Sequence, residues 1–150
     1  MLTVARRLRV PVVRVRIPAV RQKIMHNIEW RKIKGKGRGV FALKDFEKGE
    51  MIEECPVILL SDKEVALCEQ TILDDYVYAW KSDEDGAIAL GYGSLYNHSP
   101  KPNVEYDLMY KDKTIVYKAI ESIKNGEEIL LDYNWDSKEA TVKKWFRPSA

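Results

Sequence analysis

Ala42-Leu43-Lys44-Asp45-Phe46-Glu47-Lys48-Gly49-Glu50-Met51-Ile52 returns later as Ala119-Ile120-Glu121-Ser122-Ile123-Lys124-Asn125-Gly126-Glu127-Glu128-Ile129. Alanine, a large apolar residue four on, Gly-Glu and a closing isoleucine keep their places in both copies. Each copy reads as a strand, a turn that needs glycine's backbone freedom, and a second strand. Two such units predict a mainly β body of several small sheets with short helices.

Short apolar runs cut by glycine turns extend that reading in both directions. Strands are expected at 30–34, 40–43, 51–60, 76–80, 87–90 and 129–132, with a hairpin formed by 104–110 and 114–119 around Lys111-Asp112-Lys113. Ser61-Asp62-Lys63-Glu64 has capping-box spacing, which predicts a short helix to about Thr71. Ser137 is placed to cap a final helix ending near Trp145.

A chain of 150 residues, 45% hydrophobic and 32% charged, is one domain with a modest core. No apolar run reaches the roughly 18–20 residues of a membrane span, so a membrane partner is not expected. The net charge of +2 hides an asymmetry: residues 1–28 hold seven basic residues and no acid. The remaining 18 (25 − 7) basic residues face 23 acidic ones, leaving 29–150 near −5. An acidic body attracts basic polypeptides at long range, mainly through encounter rate.

The basic extension, 1–24, alternates Val13, Val15 and Ile17 with Arg14 and Arg16, while Pro11 and Pro18 break any helix. It has an organelle leader's arginines but no serine. A flexible or edge-strand extension is the expectation, with a nucleic-acid-binding arm as the alternative. Cys55 and Cys68 are the only cysteines, which fits an intracellular, reducing compartment such as cytoplasm, nucleus or nucleoid. With His26 and His98 they match no zinc spacing, so no metal is expected.

Three strings bear chemistry. Gly37-Arg38-Gly39 lets backbone pass close to a ligand, although a basic hairpin turn has the same spelling. Asn97-His98-Ser99 follows Leu90-Gly91-Tyr92-Gly93-Ser94-Leu95-Tyr96 and precedes Pro100-Lys101-Pro102-Asn103. An asparagine amide donates and accepts at once, and can equally stabilise a turn. Gly126-Glu127-Glu128-Ile129 leads through Leu131 and Asp132 to Tyr133, which could serve either a site or the core.

In this order and spacing the three strings resemble the signature of the SET-domain family, protein lysine methyltransferases that use S-adenosylmethionine. The likeness covers roughly residues 30–135. Phe46-Glu47-Lys48-Gly49-Glu50, Glu53-Glu54-Cys55 and Ala89-Leu90-Gly91-Tyr92-Gly93 resemble the minimal stand-alone members of large DNA viruses and bacteria. The resemblance implies a β-clip (SET) fold over 25–135, its C-terminal segment threaded through a loop as a pseudoknot. It assigns Lys36, Gly37, Arg38, Gly39, Asn97 and His98 to S-adenosylmethionine, with Tyr76 as a further contact, and makes Tyr133 catalytic. Tyr92 and Tyr96 are expected to wall a lysine channel, since aromatic rings exclude water yet tolerate a cation.

The chemistry is consistent with that set. Lysine's pKa near 10.4 leaves about one amine in a thousand unprotonated at pH 7.4, a cost of about 4 kcal/mol. A dry channel beside a cationic donor lowers that cost, and a phenol aligns the amine without adding charge.

Many relatives close the site with a cysteine-rich zinc segment, but no cysteine follows Cys68. Residues 136–150 are therefore expected to close it, with Trp145 against the adenine. Leu131 occupies a position that influences methylation number in relatives, so mono-, di- and trimethylation all stay open. The implied partner is a basic, histone-tail-like or chromatin-type protein, and a homodimer is allowed. The other reading is a non-catalytic β-clip module that binds peptides along a strand edge.

Overall fold

The structure, a computed structural model, describes residues 27–35, 37–82 and 84–133. Nine strands carry the fold: β1 (Ile28–Ile33), β2 (Gly37–Ala42), β3 (Met51–Leu60), β4 (Val77–Ala79), β5 (Gly86–Ala89), β6 (Asn97–His98), β7 (Val104–Met109), β8 (Thr114–Ala119) and β9 (Leu130–Leu131). One α-helix, α1 (Asp62–Cys68), and two 3-10 helices, Ile72–Tyr76 and Gly93–Leu95, complete the described elements. β1 and β2 form a hairpin, and the remaining strands follow the order β4-β5-β3-β8-β7-β9-β6. This is the mainly β, curled-sheet fold that the repeat predicted.

The repeated string folds as two interlocked copies. Phe46 N–H donates to the Ile123 carbonyl at 2.8 Å and Ile123 N–H returns the bond to Phe46 at 3.0 Å. Ala42 N–H reaches the Glu127 carbonyl while Ala119 N–H reaches that of Glu50; Gly49 and Gly126 donate to the carbonyls of Ala119 and Ala42. Each turn closes alike, Glu47 N–H on the Glu50 carboxylate and Lys124 N–H on that of Glu127. Both turns require a left-handed residue, Gly49 at φ +85° and Gly126 at φ +90°. The anchors Ala42, Phe46, Ala119, Ile123 and Ile129 are buried together. Full burial of side chains such as Phe46 and Ile123 contributes about 1.5–3 kcal/mol each. The copies thus form the hub that fixes β2 and β9 against each other.

β9 threads between two consecutive pieces of chain. It pairs in parallel with β6, Asn97 opposite Leu130 and His98 opposite Leu131, and on its other side with β7, Val104 opposite Leu131. The loop from β6 to β7 therefore arches over β9. Asn103 pins it, donating from Nδ2 to the Glu128 carbonyl and accepting Leu130 N–H on Oδ1, both at 2.8 Å. Ser99 N–H bonds the Leu131 carbonyl from the other end of the arch. This is the threaded arrangement expected of a pseudoknot.

Several expected elements change. Gly37-Arg38-Gly39 is no turn but the start of β2, with Gly37, Arg38 and Gly39 opposite Ile33, Lys32 and Arg31. α1 begins as expected, the Glu64 carboxylate accepting both the N–H and the hydroxyl of Ser61. It stops at Cys68, short of Thr71, because the Thr71 side chain accepts Leu73 N–H and starts the 3-10 helix. Tyr76 consequently ends that helix instead of opening a strand. Asn97 and His98 lie in a two-residue strand, not a turn. Lys36, residues 1–24, the helix expected after Ser137 and Trp145 lie outside the described residues.

Candidate active site

Threading brings sequence-distant groups together. Parallel pairing on β9 sets Asn97 beside the start of β2, where its Nδ2 donates to the Arg38 carbonyl at 2.8 Å and to Glu128 Oε1 at 2.7 Å. Gly39 makes that approach possible. A side chain there would set its Cβ 2.4 Å from Glu128 Oε1 and 3.0 Å from Asn97 Nδ2. Glu128 is a site residue that sequence reading missed; its signal was the second acid of Gly126-Glu127-Glu128, absent from the first copy.

Tyr133 follows β9 directly. Its N–H donates to His98 Nδ1 at 3.2 Å, and the two rings lie 5.3 Å apart. Asp132 Oδ1 lies 3.7 Å from the same nitrogen. The Tyr133 hydroxyl donates to the Tyr96 carbonyl at 2.5 Å. Burial, with Asp75 and Tyr76 adding to it, pushes that hydroxyl up to about 12. Tyr133 is therefore a neutral phenol at physiological pH, and the residue as a whole is 47% exposed.

Tyr76 closes the other flank. Arg38 donates to its hydroxyl at 2.9 Å, with the guanidinium 5.7 Å from the ring centroid. Ser94 ties this flank down by donating to the Tyr76 carbonyl and accepting Ala89 N–H, each at 3.1 Å. Behind lies a layer of tyrosines. Tyr78 donates to the Gly93 carbonyl at 2.6 Å and meets Tyr106 edge-on. The Tyr117 hydroxyl is buried beside that of Tyr78, with no hydrogen bond of regular geometry among the described residues. Burial first, and neighbouring tyrosines and Cys55 after it, hold Tyr78 and Tyr117 above the usual tyrosine range, so both are uncharged.

The predicted residues divide accordingly. Gly37, Arg38, Gly39, Tyr76, Asn97, His98 and Tyr133 come from separate stretches into one neighbourhood. Tyr96 does not present its ring as a channel wall: the ring is 1% exposed and meets Tyr117 edge-on, leaving only the carbonyl toward Tyr133. Leu131 points into the core, where it is fully buried. Tyr92 is half-buried against that core. Cys55 and Cys68 are free and buried, and burial pushes the Cys55 thiol far above its ordinary range, as expected of an inert side chain.

The arrangement defines a class: a mainly β transferase site where a threaded strand carries a neutral phenol past an asparagine-pinned backbone edge. Residues 37–134 match the SET domain. The chain is 34% identical over 139 residues to the "Histone-lysine N-methyltransferase, H3 lysine-37 specific" of Schizosaccharomyces pombe, covering 90% of this chain and 91% of that one. It is 31% identical to the "Histone-lysine N-methyltransferase Set8" of Drosophila melanogaster, of which it spans only 20%. A Plasmodium falciparum protein described as a candidate histone methyltransferase superposes with a TM-score of 0.57 at 33% identity, over 73% of this chain and 95% of that one. A Chaetomium thermophilum ctPRC2 structure bound to S-adenosylmethionine shares the fold, with a TM-score of 0.61 at 24% identity over 72% of this chain and 15% of that one.

The chain belongs to the SET-domain family. It is a protein-lysine N-methyltransferase. These relatives are eukaryotic.

Proposed function

We propose that the chain methylates a lysine in a basic, histone-tail-like protein, with Tyr133 aligning the attacking amine. Gly37, Arg38, Gly39, Asn97 and His98 hold the cofactor in this reading, and Tyr76 flanks it. The convergence of the Arg38 carbonyl, the Asn97 amide, the His98 imidazole and the Tyr133 phenol carries the reading.

The residues fit the group. Gly37, at φ +88°, has open space where a side chain would stand, so backbone is bare along one edge. S-adenosylmethionine supplies an electrophilic methyl on a sulfonium. Asn97 keeps the Arg38 peptide in one orientation, fixing the carbonyls and N–H groups a bound molecule meets. The Tyr133 hydroxyl, unionised at neutral pH, directs the lysine nitrogen without becoming a base. Positioning of this kind removes entropic cost from the barrier and accounts for much of a transfer rate. Lys36 and Trp145 complete the proposed cofactor shell; Tyr92 and Leu131 back the lysine channel.

Histone specificity is supported by the names of the yeast and fly relatives. Kinship with the minimal viral and bacterial members is supported by the strings Phe46-Glu47-Lys48-Gly49-Glu50 and Ala89-Leu90-Gly91-Tyr92-Gly93. An intracellular, reducing setting, cytoplasm or nucleus, is supported by two free cysteines; among the described residues no helix is long and apolar enough to cross a membrane. Nucleic-acid contact through residues 1–24, closure by 136–150 and a homodimer extend the proposal.

Incubation with labelled cofactor and mixed histones, followed by mass spectrometry, tests it. Label is expected on lysine of a histone tail. Tyr133→Phe should retain cofactor binding and lose transfer by roughly a hundredfold or more, as for other misplaced near-attack geometries. Wild-type turnover in that variant would remove Tyr133 from its role.

A further inference from the structure

Glu53, on β3, points its carboxylate under the site from behind. Oε1 accepts Tyr92 N–H at 3.1 Å and Oε2 accepts the Tyr96 hydroxyl at 2.8 Å. The carboxylate also fills the space beside Gly91, where a side chain would set its Cβ 2.4 Å from Oε1. Both oxygens are thus committed to the segment that leads into Asn97. Charge-assisted bonds of this kind are short, directional and about twice as strong as neutral ones.

Tyr96 is held at both ends. Its hydroxyl is anchored on Glu53, while its backbone carbonyl receives the Tyr133 hydroxyl at 2.5 Å. Its ring, packed edge-on to Tyr117 at 4.9 Å, links the two ends rigidly. An apolar ring there would fill the same volume but could slide along its long axis. The anchored hydroxyl sets how deep the ring sits, and so where the carbonyl lies.

We propose that Glu53 and Tyr96 are positioning residues for the transfer step: the carboxylate fixes the Tyr96 ring, and the Tyr96 carbonyl thereby aims the Tyr133 phenol. This rests on the assignment of Tyr133 as the aligning group. Neither residue touches the reacting atoms. Misplacement by about an ångström costs up to a hundredfold in rate, so a buried pair behind the site has leverage on turnover.

The test uses the full chain, a histone-tail peptide and S-adenosylmethionine. Tyr96→Phe removes one oxygen and should lower kcat roughly tenfold, with cofactor Kd and peptide KM unchanged. Glu53→Gln offers one acceptor where two donors point and should lower kcat similarly. In a Tyr133→Phe background neither change should cost more, because the group they aim is gone. Wild-type kcat in Tyr96→Phe overturns the proposal, as does a loss that multiplies fully with Tyr133→Phe or one tracked by weakened cofactor binding. Should Glu53→Gln fail to fold, Tyr96→Phe decides alone. An inactive Tyr133→Phe with a normal Tyr96→Phe sinks only this proposal, whereas a fully active Tyr133→Phe sinks the underlying assignment.

Discussion

Asn97 shows how much one side chain contributes when its register is fixed. Its amide spends two donors, on the Arg38 carbonyl and on the Glu128 carboxylate, tying β2 to the threaded strand. Replacing it with alanine leaves both acceptors facing a gap, at a cost of about 1–3 kcal/mol. Asn97→Ala is expected to lose about that much stability in denaturant melts and to weaken S-adenosylmethionine binding by calorimetry; unchanged binding would count against the cofactor assignment. Tyr133 belongs at this scale too. Because its phenol is held up to about 12, the reactive amine, not the phenol, should govern the pH profile. Methyl transfer is expected to climb from about pH 7 to 9 as free amine accumulates below its pKa near 10.4. A rate that falls across that range would mean Tyr133 ionises in it.

The elements add what single residues cannot. The two copies of the repeated string meet through reciprocal bonds, so their turns should respond alike to the same change. Gly49 and Gly126 share a left-handed backbone, and neither has an atom within 4 Å of where a Cβ would stand. The cost of alanine at either site is therefore backbone strain alone, about 1–2 kcal/mol each. Denaturant melts of Gly49→Ala and Gly126→Ala should show equal losses; a Gly126→Ala loss several kcal/mol larger would mean that the second copy bears load the first does not. β9 is the opposite case. Two residues long, it has little strand propensity to declare itself, and its place comes from Asn103 and Ser99 arching over it.

Across the whole molecule, surface hydrogen bonds and ion pairs shape the pH dependence of stability. Asp45, Glu50, Glu64 and Asp85 are all held below their ordinary pKa, first by hydrogen bonds from Asn125, Lys44, Ser61 and Ser82 respectively. Carboxylates lowered on folding contribute stability above their unfolded pKa and lose it as pH falls through the folded value. Lys118 and Lys124 are raised, chiefly by hydrogen bonds to Asp107 and Asp45, so their contribution is full below about 10.5 and fades above it. Asp45, Glu64 and Lys124 are exposed and Glu50, Asp85 and Lys118 are partly so, so each contribution is small and screened by salt. The melting temperature should form a plateau near neutral pH and decline below about pH 4, less steeply in Asp45→Asn. An unchanged melting temperature down to pH 2 would contradict it.

Local patterns were legible because local physics sets them. The repeated Ala…Phe/Ile…Gly-Glu…Ile string declared its strands and turns, Ser61 and Glu64 declared a helix start, and Asn97, His98 and Tyr133 declared a site through their resemblance to a family. What sequence missed was partnership. Glu53, Asn103 and Glu128 look like ordinary polar residues until threading delivers their partners, and Tyr96 looks like a channel wall until packing turns its ring into the core. Gly37-Arg38-Gly39 spells a turn, yet pairing with β1 extends it as a strand. Residue order dictates backbone freedom and apolar period, both nearest-neighbour properties. Which carboxylate receives which donor depends on segments dozens of residues apart, and only the closed fold brings them within bonding distance.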